Sequence, residues 1–216
     1  MGIANPVLAQ NHGKCIYTGK PATSADHVPP KSFLAPPLPV NLSTVPACAD
    51  FNSRSALDEQ YFITILAHIG HHPALAWRLV EGGDVDRTLT RRPALEERLL
   101  EETGVDEDGL PFISPDQTRI DSVLRKLAAG LYFLRFGCAP GLQAFEPISM
   151  YDADNVPQDV IDLSWKFQHA EPLKVLQWSV FAYGFCNSKE CNEFTYCNIN
   201  FSDSVFGLIA CPFQQI

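Results

Sequence analysis

The sequence predicts an α+β fold on three observations: a proline-rich beginning, a middle with apolar residues at helical spacing, and an end rich in aromatic and β-branched residues. Proline at positions 21, 29, 30, 36, 37, 39 and 46 keeps the first part in loops and short strands, because each ring removes a backbone donor. The expected order is a loop-and-strand module ending in a helix over residues 1–70, then a helical middle and a C-terminal antiparallel β-hairpin or small sheet. Residues 71–216 are expected to pack on the first module as an accessory region.

The first helix is expected from Asn52 or Ser55, where Ser55 and Asp58 approximate a capping box. Tyr61, Phe62, Ile65, Leu66 and Ile69 form its buried stripe, and Gly70 closes it. His72-Pro73 opens a second helix to about residue 80, ended by Gly82-Gly83. Residues 93–102 make a third, with Leu95, Leu99 and Leu100 inward and four glutamates outward. Residues 106–109 read as a solvated loop without calcium-loop spacing. The longest helix runs from residue 115 or 116 to about 136 and buries Ile120, Val123, Leu124, Leu127, Leu131 and Leu134. Arg119, Arg125, Lys126 and Arg135 on that segment read as a solvated face and, with Arg87, Arg91 and Arg92, as the best phosphate contacts outside the first module. Residues 173–185 and 194–209 supply the β-rich end.

At 216 residues and 46% hydrophobic content, the chain can bury the core of one domain or two small ones. No segment approaches the length of apolar residues that spans a membrane, and the beginning lacks a signal-peptide pattern, so a cytoplasmic protein with no membrane partner is expected. Seven scattered cysteines fit reduced thiols; Cys186, Cys191, Cys197 and Cys211 match no standard zinc spacing. His68, His71 and His72 read as capping or surface residues.

The chemistry-bearing pattern lies early. Asp26-His27 is followed by Val28-Pro29-Pro30-Lys31-Ser32, then by Asn41, then by Val45-Pro46-Ala47-Cys48 and Asn52, with Cys15-Ile16-Tyr17-Thr18-Gly19-Lys20 upstream and Asp58-Glu59-Gln60-Tyr61-Phe62 downstream. Residues 15–62 of this chain resemble the HNH endonuclease family. Members share a ββα-metal finger, two short strands and a helix that hold one catalytic divalent cation. The resemblance implies that Asp26 and Asn52 are metal ligands, His27 is the general base and Asn41 orients it, with Lys31 and Arg54 as nucleic-acid contacts and DNA as the substrate.

Phosphodiester hydrolysis explains these residue types. An imidazole titrating near neutrality can deprotonate water, and a cation held by oxygen ligands neutralises the charge that develops on the phosphate. One carboxylate and one amide leave coordination positions open, which favours Mg²⁺ or Mn²⁺. Adjacent residues of an extended strand face opposite ways, so a turn or distortion is expected to gather Asp26 and His27.

Many members of the family also carry a Cys-x-x-Cys pair on each side of the motif, holding a structural zinc. Here the pairs read Cys15/Thr18 and Cys48/Phe51. A hydroxyl and a phenyl ring cannot complete the four N or S ligands that such zinc requires, so no structural zinc is expected. Packing around a buried Phe51 is expected instead, with the two remaining thiols buried or disulfide-linked.

The net charge of −9 opposes tight DNA binding. Residues 1–58, however, carry Lys14, Lys20, Lys31 and Arg54 against Asp26, Asp50 and Asp58. The acidity therefore lies in the rest of the chain, and either the affinity is modest or a protein partner supplies positive surface. The alternative function is a catalytically impaired, HNH-derived binding or interaction module. A thiol enzyme using a C-terminal cysteine is a third reading.

Overall fold

A computed structural model of the protein describes residues 6–69, 75, 77–79, 83–109, 111–152, 158, 162, 167–188, 193–203, 205–214 and 216. After the short helix α1 (Pro6–Ala9), strands β1 (Ser24–His27) and β2 (Thr44–Ala47) pair antiparallel and lead into helix α2 (Ala49–Ile69). Helices α3 (Asp84–Arg91) and α4 (Pro93–Glu101) follow, then a two-stranded sheet of β3 (Thr103–Val105) and β4 (Pro111–Ile113), then the long helix α5 (Gln117–Phe136).

The remaining strands form one antiparallel six-stranded sheet: β5 (Glu146–Asp152), β6 (Phe167–Ala170), β7 (Lys174–Gln177), β8 (Phe181–Ser188), β9 (Phe194–Phe201) and β10 (Val205–Pro212). Their order is β5-β10-β9-β8-β6, with β7 also paired to β8. The chain is thus α+β, and its C-terminal sheet is larger than the hairpin at its centre.

Helix α2 begins earlier than its own sequence indicates. The Ala49 N–H donates to Thr23 Oγ1 at 3.0 Å, and the Cys48 carbonyl accepts from Phe51 and Asn52 at 3.1 Å each. The cap comes from the residue before β1 rather than from Ser55, whose hydroxyl bonds the Asn52 carbonyl instead. Asn52 consequently sits in the first turn, with its side chain free for another role. Helix α5 begins where expected: Asp116 caps the Thr118 and Arg119 N–H groups, and Gly137, at φ 70°, ends it in the left-handed conformation that glycine adopts without strain. The expected helix from His72 to about residue 80 falls mainly outside the described residues, as do His71, His72 and Cys191; the turn Trp77–Leu79 is helical.

One hydrophobic cluster joins these parts. It runs from Val28 and Val45 through Phe62 and Ile65 on α2 and Leu124 and Leu127 on α5 to Phe201 and Ile209 in the large sheet. Phe62 is the hinge of the packing, 5.5 Å from the Phe33 ring and 5.3 Å from that of Phe201. Fully burying each such ring contributes about 1.5–3 kcal/mol. The first module therefore rests on α5 and the sheet rather than on a core of its own.

Candidate active site

The β1–β2 ladder pairs Ser24 with Ala47 through to His27 with Thr44 without a bulge, and continues in the Val28 N–H bond to the Ser43 carbonyl at 3.0 Å. Alternation along β1 therefore puts Ser24 and Asp26 on one face and Ala25 and His27 on the other. The Ser24 face meets α2: Asn52 Nδ2 donates to Ser24 Oγ at 3.1 Å. Asn52, Ser55 and Glu59 follow helical spacing, so a polar stripe of α2 runs along the strand.

Asp26 is held firmly. Tyr17 Oη donates to its Oδ2 at 2.8 Å, and Lys126 Nζ lies 3.0 Å from the same oxygen. Lys126 reaches in from α5 and also donates to Ser55 Oγ at 3.1 Å and to Glu59 Oε1. Three N–H donors thus meet three oxygens from two elements. The side chains of Lys126, Asp26 and Glu59 are only 5%, 12% and 11% exposed. Burial raises the Glu59 pKa above its ordinary value, and Lys126 partly offsets the rise. Burial and the Asp26 charge push the Tyr17 phenol far up, so it stays a donor.

A glycine makes the lysine's approach possible. A Cβ at Gly130, one turn beyond Lys126, would lie 2.7 Å from Val28 Cγ2 and 3.3 Å from Tyr17 Oη. Only a residue without a side chain lets α5 close on β1, and that closeness delivers the ammonium to Asp26.

Asn52 presents the other unusual atom. Its Oδ1 is buried and, like Gln60 Oε1, Arg78 Nε and Asp84 Oδ1, has no hydrogen-bond partner among the described residues. Buried polar atoms are nearly always paired, so an orphaned carbonyl oxygen next to the strand bearing Asp26 suits a hard cation. The donor set of one carboxylate and one amide fits Mg²⁺ or Mn²⁺ better than a thiophilic ion. Lys126 opposes such an ion, because its charge already engages Oδ2 of Asp26.

His27 ends β1 half-buried, next to Val28-Pro29-Pro30. Burial first, then the Lys31 charge, lowers its pKa below the ordinary 6.5, against the opposing pull of Asp26. Its imidazole is neutral at physiological pH, as a proton acceptor must be. Asp26 and His27 share the strand but not its face; the ladder's regularity leaves no distortion to gather them. Asn41 is exposed in the turn before β2 and makes no hydrogen bond to a described residue, His27 included. Lys31 and Arg54 are exposed, and Arg54 Nε donates to the Asp50 carbonyl at 3.2 Å.

The positions of the four residues that flank the motif do converge. Cys48 Sγ and Thr18 Oγ1 are 3.5 Å apart, and the Cys15 thiol and Phe51 N–H lie close enough to act on the Cys48 thiol. Burial raises the Cys48 pKa, but the bonds from Thr18, Phe51 and Cys15 outweigh it and lower the pKa overall. Both thiols are free. Phe51 is half-buried rather than buried, and it stacks on the Tyr17 ring at 4.7 Å and 23°.

No family model, curated protein or solved structure matches the chain.

Several of the other basic and thiol groups are engaged within the fold. Arg119 pairs with Asp58 at 2.8 Å, Arg125 donates to the Phe145 carbonyl at 3.1 Å, and Arg135 pairs with Glu171. Lys126 is buried, which corrects its reading as part of a solvated face. Burial raises the thiol of Cys186 to a pKa of about 12 and those of Cys197 and Cys211 further, which removes the thiolate a nucleophile needs. Among the described residues no three His, Cys, Asp or Glu side chains form a metal cage. Sequence reasoning missed Tyr17, Ser55, Glu59 and Lys126 as neighbours of Asp26. Tyr17 and Glu59 lie inside the motif-bearing runs, whereas nothing near Lys126 marks it.

Proposed function

We propose that the chain is a metal-dependent endonuclease of the HNH type that hydrolyses DNA phosphodiester bonds, with β1, β2 and α2 as its ββα unit. The observation that carries this reading is the buried, unpartnered Oδ1 of Asn52, held by Ser24 on the strand that presents Asp26. Asp26 and Asn52 would hold Mg²⁺ or Mn²⁺, which when bound neutralises charge on the scissile phosphate. His27 is the proposed proton acceptor; its neutrality near pH 7 suits that role, and its ring reaches water at the ion only where the end of β1 turns it toward the Asp26 face. Lys31 and Arg54 offer exposed charge to the phosphate backbone, while Asn41, which makes no hydrogen bond to His27 here, has its role as orienter only from the family resemblance. The convergence of Cys15, Thr18, Cys48 and Phe51 supports the same ancestry, with a stacked ring and a hydroxyl where thiolates would hold zinc.

The test is nicking of supercoiled plasmid in Mg²⁺ or Mn²⁺. Wild type should nick and EDTA should stop it. Asn52→Ala, which removes a ligand but leaves Asp26 in place, should lower the rate at least tenfold at sub-saturating metal and recover in part at higher metal. Metal-independent nicking, or an Asn52→Ala variant with wild-type metal dependence, would reject the assignment.

A second reading is favoured by the Lys126 ion pair on Asp26: a catalytically impaired module that binds nucleic acid or a protein partner. Its signature is DNA retention on a gel without cleavage in any divalent metal.

A further inference from the structure

We infer that Lys126 is the resident cation of the Asp26 carboxylate and competes with a divalent ion for it, so that this lysine sets how tightly the site takes metal. The inference rests on the nuclease reading, since it concerns the same carboxylate. Its grounds are separate ones.

The first ground is coordination. The ammonium meets Asp26 Oδ2, Ser55 Oγ and Glu59 Oε1, an oxygen set of the kind a hard cation takes. The second is completeness. Three donors on three acceptors leave the ammonium fully satisfied in a buried site, with the Tyr17 and Phe51 rings each 5.8 Å away. The third is direction. The Tyr17 hydrogen bond and the Lys126 ion pair both engage Oδ2 of the Asp26 carboxylate, so together they fix which oxygen remains for another ligand. Two positive charges on one carboxylate repel, and the repulsion is strong where water is scarce. Metal affinity in the native chain is therefore held low, and loss of the ammonium removes that repulsion from the remaining Asp26 oxygen. Lys126 acts here as a positioning residue, through Asp26.

The test compares wild type, Lys126→Met, Lys126→Met with Asp26→Asn, and Asn52→Ala, in the full chain. Free Mn²⁺ is titrated by its electron paramagnetic resonance signal, and melting is followed with and without Mn²⁺. Lys126→Met should bind Mn²⁺ at least tenfold more tightly than wild type, and Mn²⁺ should raise its melting temperature by several degrees while moving wild type little. Adding Asp26→Asn should erase both gains.

If Lys126→Met does not fold, Lys126→Met with Glu59→Gln keeps the net charge of the seam and is read by the same criteria. Wild-type binding that Asn52→Ala weakens, with no gain in a folded lysine variant, overturns the competition and leaves the nuclease reading standing. Binding by the lysine variant alone supports the competition and removes the metal from the native chain's function. No binding by any folded protein overturns both.

Discussion

His27→Ala is expected to slow plasmid nicking by about 10²–10⁴-fold in saturating Mg²⁺ or Mn²⁺, the usual contribution of a positioned general base. The reason is local to the imidazole. It sits at the last residue of β1, half-buried, with its pKa lowered by burial and by Lys31, so it is ready to accept a proton. It makes no hydrogen bond to another described residue, and truncation to alanine keeps the backbone pairing with Thr44. The circular dichroism spectrum and melting temperature of His27→Ala should therefore match wild type, which assigns the lost rate to chemistry. A folded His27→Ala protein that nicks as fast as wild type would remove His27 from the mechanism.

Lys126→Ala is expected to have the largest effect on stability, about 3–5 kcal/mol, because it strands Asp26 and Glu59 as buried carboxylates without a counter-charge. For a chain of this size that lowers the melting temperature by roughly ten degrees or more. Arg135→Ala breaks an ion pair too, but that arginine is 46% exposed, and its removal should scarcely move the urea midpoint. Equal midpoints for Lys126→Ala and wild type would show that the buried cluster contributes nothing to the fold. The approach of α5 to β1 at Gly130 makes such an outcome hard to reconcile with this packing.

What could be read from the sequence was whatever a residue shares with its own neighbours. The stripe of α5 is local, and the helix runs where it places it, although Leu134 of that stripe is 37% exposed and Leu100, read as inward on α4, is 70% exposed. The β-rich end is equally local in composition, so two runs, 173–185 and 194–209, were legible, though each divides into two strands, β7 with β8 and β9 with β10. Strands β5 and β6 were not, because Glu146–Asp152 gains its strand character only by pairing with β10, and Phe167–Ala170 only by pairing with β8. The α2 start escaped for a similar reason: its cap, Thr23, lies on the far side of β1 and β2.

The candidate site divides along the same line. The spacing of Asp26, His27, Asn41 and Asn52 is a sequence property. The partner of Asp26 comes from a helix begun some ninety residues later, on a residue flanked by Arg125 and Leu127 that looks solvated. A buried lysine costs several kcal/mol unless oxygens await it, and only the folded chain shows that they do.

Crystals soaked in Mn²⁺ and measured at the manganese edge test the central claim most directly. The account predicts an anomalous peak within bonding distance of one Asp26 carboxylate oxygen and Asn52 Oδ1. A saturating soak that leaves those two oxygens without a peak, or one that places manganese with neither of them, would contradict it.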